Sequence, residues 1–404
     1  MKAAPKSRPA VPAPPGRPLA PSQTILAGAN PIAWNAALER EGVSLGGAPI
    51  WPAVRVLGPQ GADSLFVFPA RAQAPLLLGA WPREDPPTHA VHIFPRYRWI
   101  LVETKVSGQD SVPRRERFFA ANGSLLAEAR YAESPVPIGR NLVLERVPSR
   151  NDSVPSRVSV VRLPDAIVAT TWDAVTGWGA ASPLENFLAV NTVGVQDPVT
   201  GIRQDELRLM DLEGTVKWVK SLSADRREFA VSNSGDVAIA REKALIVYDR
   251  YGSEKFRAPL PQNAVGRTAI TPDGRFVLAS ARSVLPKPKG GDLWIGLFDL
   301  AHGGAVWSRR DLASGRGVDI YELALSDDGQ RALVRLSTGP VLLLSRDGGT
   351  IGRWNLDRAS RGESDPGIVP HRTWLSSDGT LVGLTSPVAR SLAEAKGWLY
   401  RVPR

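Results

Sequence analysis

The sequence predicts an all-β chain: a β-propeller of about seven four-stranded blades, with eight as the alternative count, behind a disordered N-terminal tail. Three observations carry this. Short strand-like runs alternate with turn clusters and show hardly any helical period. A Ser/Thr turn containing Gly recurs through the C-terminal half, and a second turn type keeps step with it. Self-similarity at a period of about 40–50 residues is the mark of propellers and solenoids.

Residues 1–23 are Pro-rich, almost without large apolar side chains, and are expected to form a polyproline-like disordered tether. Lys2, Lys6, Arg8 and Arg17 in this acid-free segment supply four of the formal +10 charges of the 404 residues. The charge permits attraction to nucleic acid or an anionic polymer and equally fits an Arg-rich solvated surface. The segment lacks a continuous apolar stretch of the signal-peptide kind, and no apolar run of membrane-spanning length follows. The expectation is a cytoplasmic protein as written, or a periplasmic or secreted one if a signal peptide has been trimmed. With Cys 0, disulfides, thiolate metal sites and Cys nucleophiles are excluded, and compartment is not readable from cysteine usage.

Residues 24–61 read as an N-terminal extension: AWNAALEREG (33–42) suits a short helix and PAVRVLG (52–58) a strand. The propeller itself is assigned to 62–404. Its first repeated turn occurs in VSNSGDVAIA (231–240), ITPDGRFVLA (270–279), LSDDGQRALV (325–334) and LSSDGTLVGL (375–384), placing Gly235, Gly274, Gly329 and Gly379 at 39, 55 and 50 residue intervals. Gly supplies the positive φ a tight turn needs. The second follows an apolar strand in LRLMDLEGTVKW (207–218), LIVYDRYGSEKF (245–256), IGLFDLAHGGAVW (295–307) and LLLSRDGGTIGRW (343–354).

With strands lettered a to d from the axis outwards, this phase places the first turn between b and c, and the second between d and the next strand a. At these residues the chain resembles the broad WD40-like and quinoprotein-like propeller families, whose blades carry Ser-Pro-Asp-Gly and Asp-x-x-Gly-x-x-x-Trp turns. The resemblance covers about residues 90–404 and implies a fold rather than a function. Blades before residue 205 are degenerate. SLFVFP (64–69) and PLLLGAW (75–81) are expected to supply an inner strand and a strand closing the ring beside GWLYRVP (397–403), or part of an eighth blade from 44–68.

Catalytic signatures are sparse. His89 and His92 are three apart, which on a strand sets them on opposite faces, and no spacing pairs His302 or His371 with a nucleophile. The nucleophile elbow, the Walker loop, the His-Glu-x-x-His motif and the Rossmann fingerprint are missing, so no catalytic residue, metal ligand or cofactor is assigned. Asp211, Asp249, Asp299, Asp328 and Asp378 read as turn caps. Trp218, Trp307 and Trp354 read as packing at equivalent blade positions.

The functional signal is the placement of long connections. KVSGQDSVPRRER (105–117), VPSRNDSVPSR (147–157), VGVQDPVTGIRQDE (193–206), RSVLPKPKGGD (282–292) and SPVARSLAEAKG (386–397) read as c–d loops on one face, the other face being plain. The first three share an Asp-containing pattern around Asp110, Asp152 and Asp197. Candidate partner-binding residues are Arg114, Arg115, Arg117, Arg150, Arg157, Arg203, Lys287 and Lys289. The function expected is a non-catalytic protein-interaction or assembly platform. A central-channel quinoprotein-like oxidoreductase or lyase is the alternative, and binding of nucleic acid or an anionic polymer a further one.

Overall fold

In the computed structural model every regular element among the described residues is a β-strand. The description covers strand segments between 23 and 131 as backbone, residues 136–355 apart from several connections, and parts of 372–402. The expected tail and the helix over 33–42 lie outside it, apart from the strand Gln23–Ala27. Among the described residues, no helix is long and apolar enough to cross a membrane.

The described strands assort into eight sheets. Sheet I joins Ala53–Leu57, Ala62–Val67 and Leu76–Pro82, with Val388–Ala389 parallel to the first. Sheet II is the antiparallel meander His89–Phe94, Trp99–Thr104, Arg114–Ala120 and Leu125–Tyr131. Sheet III runs Val136–Pro137, Leu142–Val147, Ser156–Arg162 and Ile167–Ala174. Sheet IV runs Thr176–Ala181, Phe187–Gln196, Arg203–Asp211 and Val216–Leu222. Sheet V runs Phe229–Val231, Val237–Arg241, Ala244–Tyr248 and Glu254–Pro259. Sheet VI runs Thr268–Ile270, Phe276–Ser283, Leu293–Asp299 and Gly304–Arg309, with Ala264–Val265 extending its inner edge. Sheet VII runs Ile320–Leu325, Arg331–Leu336, Pro340–Ser345 and Thr350–Asn355. Sheet VIII takes Arg372–Leu375, Leu381–Thr385 and Ala395–Arg401, and its fourth strand is Gln23–Ala27 from the other end of the chain.

Two expectations are corrected here. Strands 62–67 and 76–82 pair with one another in sheet I, and Gln23–Ala27 is the segment that lies beside Ala395–Arg401. The blade phase is also shifted by one strand. The Ser/Thr-x-x-Gly turn joins the first and second strands of a sheet, and the Asp-x-x-Gly turn joins the third and fourth. The long connections at 105–113, 148–155, 197–202, 284–292 and 386–394 therefore follow second strands rather than third strands. Since both phases alternate by one strand, the division of connections between two ends survives.

Burial explains why the middle strands are nearly continuous apolar runs. Side chains alternate across a strand, so a sheet covered on both faces needs apolar residues at odd and even positions alike. In Leu293–Asp299 of sheet VI, Leu293, Ile295 and Leu297 pack towards sheet VII, while Trp294 and Phe298 pack towards sheet V. Equivalent cores join III to IV, IV to V and VII to VIII. Outer strands, such as Gly304–Arg309, are largely exposed.

A β-bulge marks the outer hairpin of sheets I to VII. One outer-strand residue lacks an opposing partner in each: Leu78, Leu126, Ala169, Lys217, Lys255, Val306 and Ile351. The repeat thus reaches back to the sheets whose turns are degenerate. It also separates the tryptophans. Trp218 and Trp307 follow the bulge directly, whereas Trp354 lies three residues past it, as do Trp81 and Trp172.

The turn glycines have a second duty besides positive φ. A Cβ on Gly329 (φ 68) would lie 2.5 Å from the Phe276 ring of the preceding sheet, whereas one on Gly303 (φ 68) would meet nothing within 4 Å. Gly303→Ala should therefore cost about 1–2 kcal/mol from the left-handed backbone alone. Gly329→Ala should cost about 1–3 kcal/mol more through overpacking. Urea unfolding of the two variants checks the difference, and equal losses would contradict the seating of Gly329 on Phe276.

Candidate functional site

Alternating antiparallel strands send first-to-second and third-to-fourth turns to one end of a sheet, and the remaining connections to the other. The turn end is closely built. Its hydroxyls and carboxylates bond their own turns: Asp249 Oδ1 accepts from the N–H groups of Tyr251 (2.8 Å) and Ser253 (2.9 Å), and Asp211 Oδ1 accepts from Thr215 N–H (2.8 Å). Asp328 and Asp378 similarly accept from Gln330 N–H (2.9 Å) and Thr380 N–H (3.0 Å). These carboxylates cap turns, as the repeat suggests.

Neighbouring turns are also joined across sheets. Leu184 N–H donates to Asn233 Oδ1 (2.8 Å), and Asn233 N–H donates to the Pro272 carbonyl (2.8 Å), linking sheets IV, V and VI. Further out, the Trp218 indole donates to the Asp249 carbonyl (3.1 Å), and Gly252 sits against its ring. The buried indole N–H groups of Trp172 and Trp307 find no acceptor among the described residues. Packing between sheets, not ligand stacking, is what Trp218 does.

One of these carboxylates gathers two guanidinium groups and an imidazole. Asp299, almost fully buried, accepts from the Arg275 guanidinium (3.1 Å) and approaches His302 Nδ1 (2.9 Å) and Arg346 of sheet VII (3.9 Å). The Arg275 hydrogen bond is the main cause that holds its carboxyl down to about 2, and His302 and the Ala301 N–H add to it. On the first strand of sheet VII, Glu322 accepts from the Thr373 N–H (2.9 Å) and hydroxyl of sheet VIII, and lies 3.6 Å from the buried Arg335. At the opposite end Glu145 is half-buried, and burial raises its carboxyl above the ordinary range.

The candidate partner-binding residues are distributed unevenly. Arg114, Arg115 and Arg117 lie in a sheet II strand rather than in a loop, Arg115 opposite Thr104 and Arg130, Arg117 opposite Val102 and Glu128. Arg157 is exposed on the third strand of sheet III, opposite Val147 and Asp173, and Arg203 opens the third strand of sheet IV opposite Gln196. All five stand beside the long connections. Arg150, Lys287 and Lys289 lie outside the described residues, as do Asp110, Asp152 and Asp197.

A fifth turn of the repeat escapes the sequence reading. Ser182-Pro183-Leu184-Glu185 has the same closing bonds, with Glu185 N–H to the Ser182 carbonyl (2.8 Å) and Phe187 N–H to Ser182 Oγ (3.1 Å). Glu185 stands where the other turns have Gly, at φ 60, and is the non-glycine residue with positive φ among the described residues. The signal was a spacing of 50 between Ser182 and Ser232, hidden because Gly was used as the anchor.

Among the described residues no three His, Asp or Glu side chains converge as a metal site would require. No family model matches the chain, and no curated protein sequence matches it.

The Asp299 cluster makes a pH prediction. Its carboxyl is lower in the folded chain than the ordinary 3.8, so its ion pairs stabilise the fold above that value and are lost as pH falls towards about 2. Between pH 4 and 2 the wild type should therefore lose more unfolding free energy than Asp299→Asn. Parallel pH profiles of urea unfolding would count against the cluster.

Proposed function

We propose that the sheets close into a β-propeller and that the chain is a non-catalytic protein-interaction platform, binding its partner through the end that carries the long connections. The observation that carries the reading is the inequality of the two ends. One end consists of short turns whose carboxylates and hydroxyls bond mainly to their own backbones and to neighbouring turns. The other carries the long connections, of which Val388–Ala389 alone among the described residues adds a strand to a sheet, and such segments on a rigid scaffold are where recognition concentrates.

Ring closure is supported by the chain's two ends meeting. Gln23–Ala27 pairs with Ala395–Arg401, and Val388–Ala389, from a connection of sheet VIII, pairs with Arg55–Val56 of sheet I. Sheets that bury both faces leave a bare face at either end of an open stack, which closure covers. The eight sheets favour eight blades over seven.

Two experiments test the reading. Deleting residues 1–22 should leave the melting temperature within about two degrees, whereas deleting 1–28 removes an outer strand and should lower it by about five degrees or more. Equal effects would remove the closing role of Gln23–Ala27. Second, replacing 148–155 and 284–292 by two-residue Asn-Gly turns removes Arg150, Lys287 and Lys289. That variant should stay folded by circular dichroism and lose its partner cross-links in cells. Partner cross-links retained in full, or located only on the turn end, would overturn the assignment.

A further inference from the structure

The Ser182 turn breaks the rules of its own repeat, and each departure costs stability. Where Asp273, Asp328 and Asp378 cap three of the other turns and Ser234 stands in the fourth, it carries Leu184, 63% exposed. Where the others have Gly, it holds Glu185 in the left-handed region, a conformation worth about 1–2 kcal/mol of strain for a residue with a Cβ. Strain of this kind persists where something other than stability uses it.

The neighbouring turn departs in the same direction. Tyr251 stands 70% exposed at the tip of the Asp249 turn. The Arg250 guanidinium lies 4.8 Å from the centre of its ring and donates to its hydroxyl (2.5 Å). The two tips are one surface: Leu184 N–H bonds Asn233, and Gly235, two residues on, lies against Arg250 Cβ. Arg250 is exposed and meets no carboxylate among the described residues. An ordered guanidinium without a counter-ion beside two bare apolar tips offers forked recognition of a carboxylate and contact area for an apolar side chain.

We infer that Leu184, Arg250 and Tyr251 form a second docking site, on the turn end, for an extended segment of a partner protein that carries a carboxylate next to an apolar side chain. The carboxylate sits on Arg250 and the apolar side chain lies between Leu184 and Tyr251. This site is at the opposite end from the long connections and stands or falls separately from them.

The test selects displayed random decapeptides on the full chain and measures the winners by fluorescence polarisation. Peptides pairing Asp or Glu with a Leu, Ile or Phe should be enriched. Arg250→Glu should weaken them at least tenfold, and Leu184→Asp at least fivefold. The double variant Leu184→Asp, Glu185→Gly restores the repeat's own turn and should melt higher than wild type while binding the peptides at least fivefold more weakly. No enrichment, or enriched peptides indifferent to Arg250→Glu, would overturn the site. So would a double variant that melts higher and binds as well as wild type.

Discussion

Burying a β-sheet on both faces is the constraint from which most of this structure follows. A sheet with one wet face sorts polar and apolar residues by alternation; sheets IV to VII are packed on both faces, so their second strands largely give up alternation. The described polar groups that lie within them find partners, as Ser280 Oγ does in the Arg267 N–H at 2.8 Å and Glu322 in Thr373, the Trp307 indole excepted. Everything else polar is driven to the strand ends and to the outermost strands. Recognition on this scaffold is thereby confined to two ends and a rim before any particular residue is chosen.

The same constraint sets how closely the ends are built. Sheets packed face to face bring each turn onto the start of the second strand in the sheet before it: Gly235 onto Phe187, Gly274 onto Asp236, Gly329 onto Phe276 and Gly379 onto Arg331. The residue beneath varies from aromatic to charged. What recurs is the missing Cβ above it. The turns are therefore coupled to inter-sheet distance, which is why the repeat is most regular in its glycines and least regular in the residues they cover.

That regularity decided what was legible in the sequence. Gly235, Gly274, Gly329 and Gly379 announced the repeat because only positive φ explains them, and the all-β class followed from the strand patterns. The strand phase did not, because a tight turn between first and second strands and one between second and third look alike in sequence; only the pairing partner separates them. The bulges were invisible for a related reason: the extra residue is Lys in two sheets and aliphatic in the others, with no composition of its own. Trp354 was matched to Trp218 and Trp307 by spacing from the turn, yet the bulge places it with Trp172. The described candidate arginines stand beside the long connections, but Arg114, Arg115 and Arg117 were taken for loop residues because the VPRRER run looks polar throughout. Leu184 and Glu185 were missed because they violate the pattern that identified the other turns.

The bulges carry one more consequence. Each outer strand has an unpaired backbone edge, the kind of surface that lets another chain add itself and begin an aggregate. In sheets I to VII an unmatched residue in the outer hairpin interrupts that edge and increases its twist, so a straight strand cannot lie along it. In sheets IV and V the interruption is also charged, with Lys217 held by Asp211 (2.7 Å) and Lys255 by Asp236 (2.8 Å). In sheet VI it is Val306, 39% exposed, and twist alone guards the edge. Polymerisation of this protein under stress would begin at the rims without a charged bulge, that of sheet VI among them.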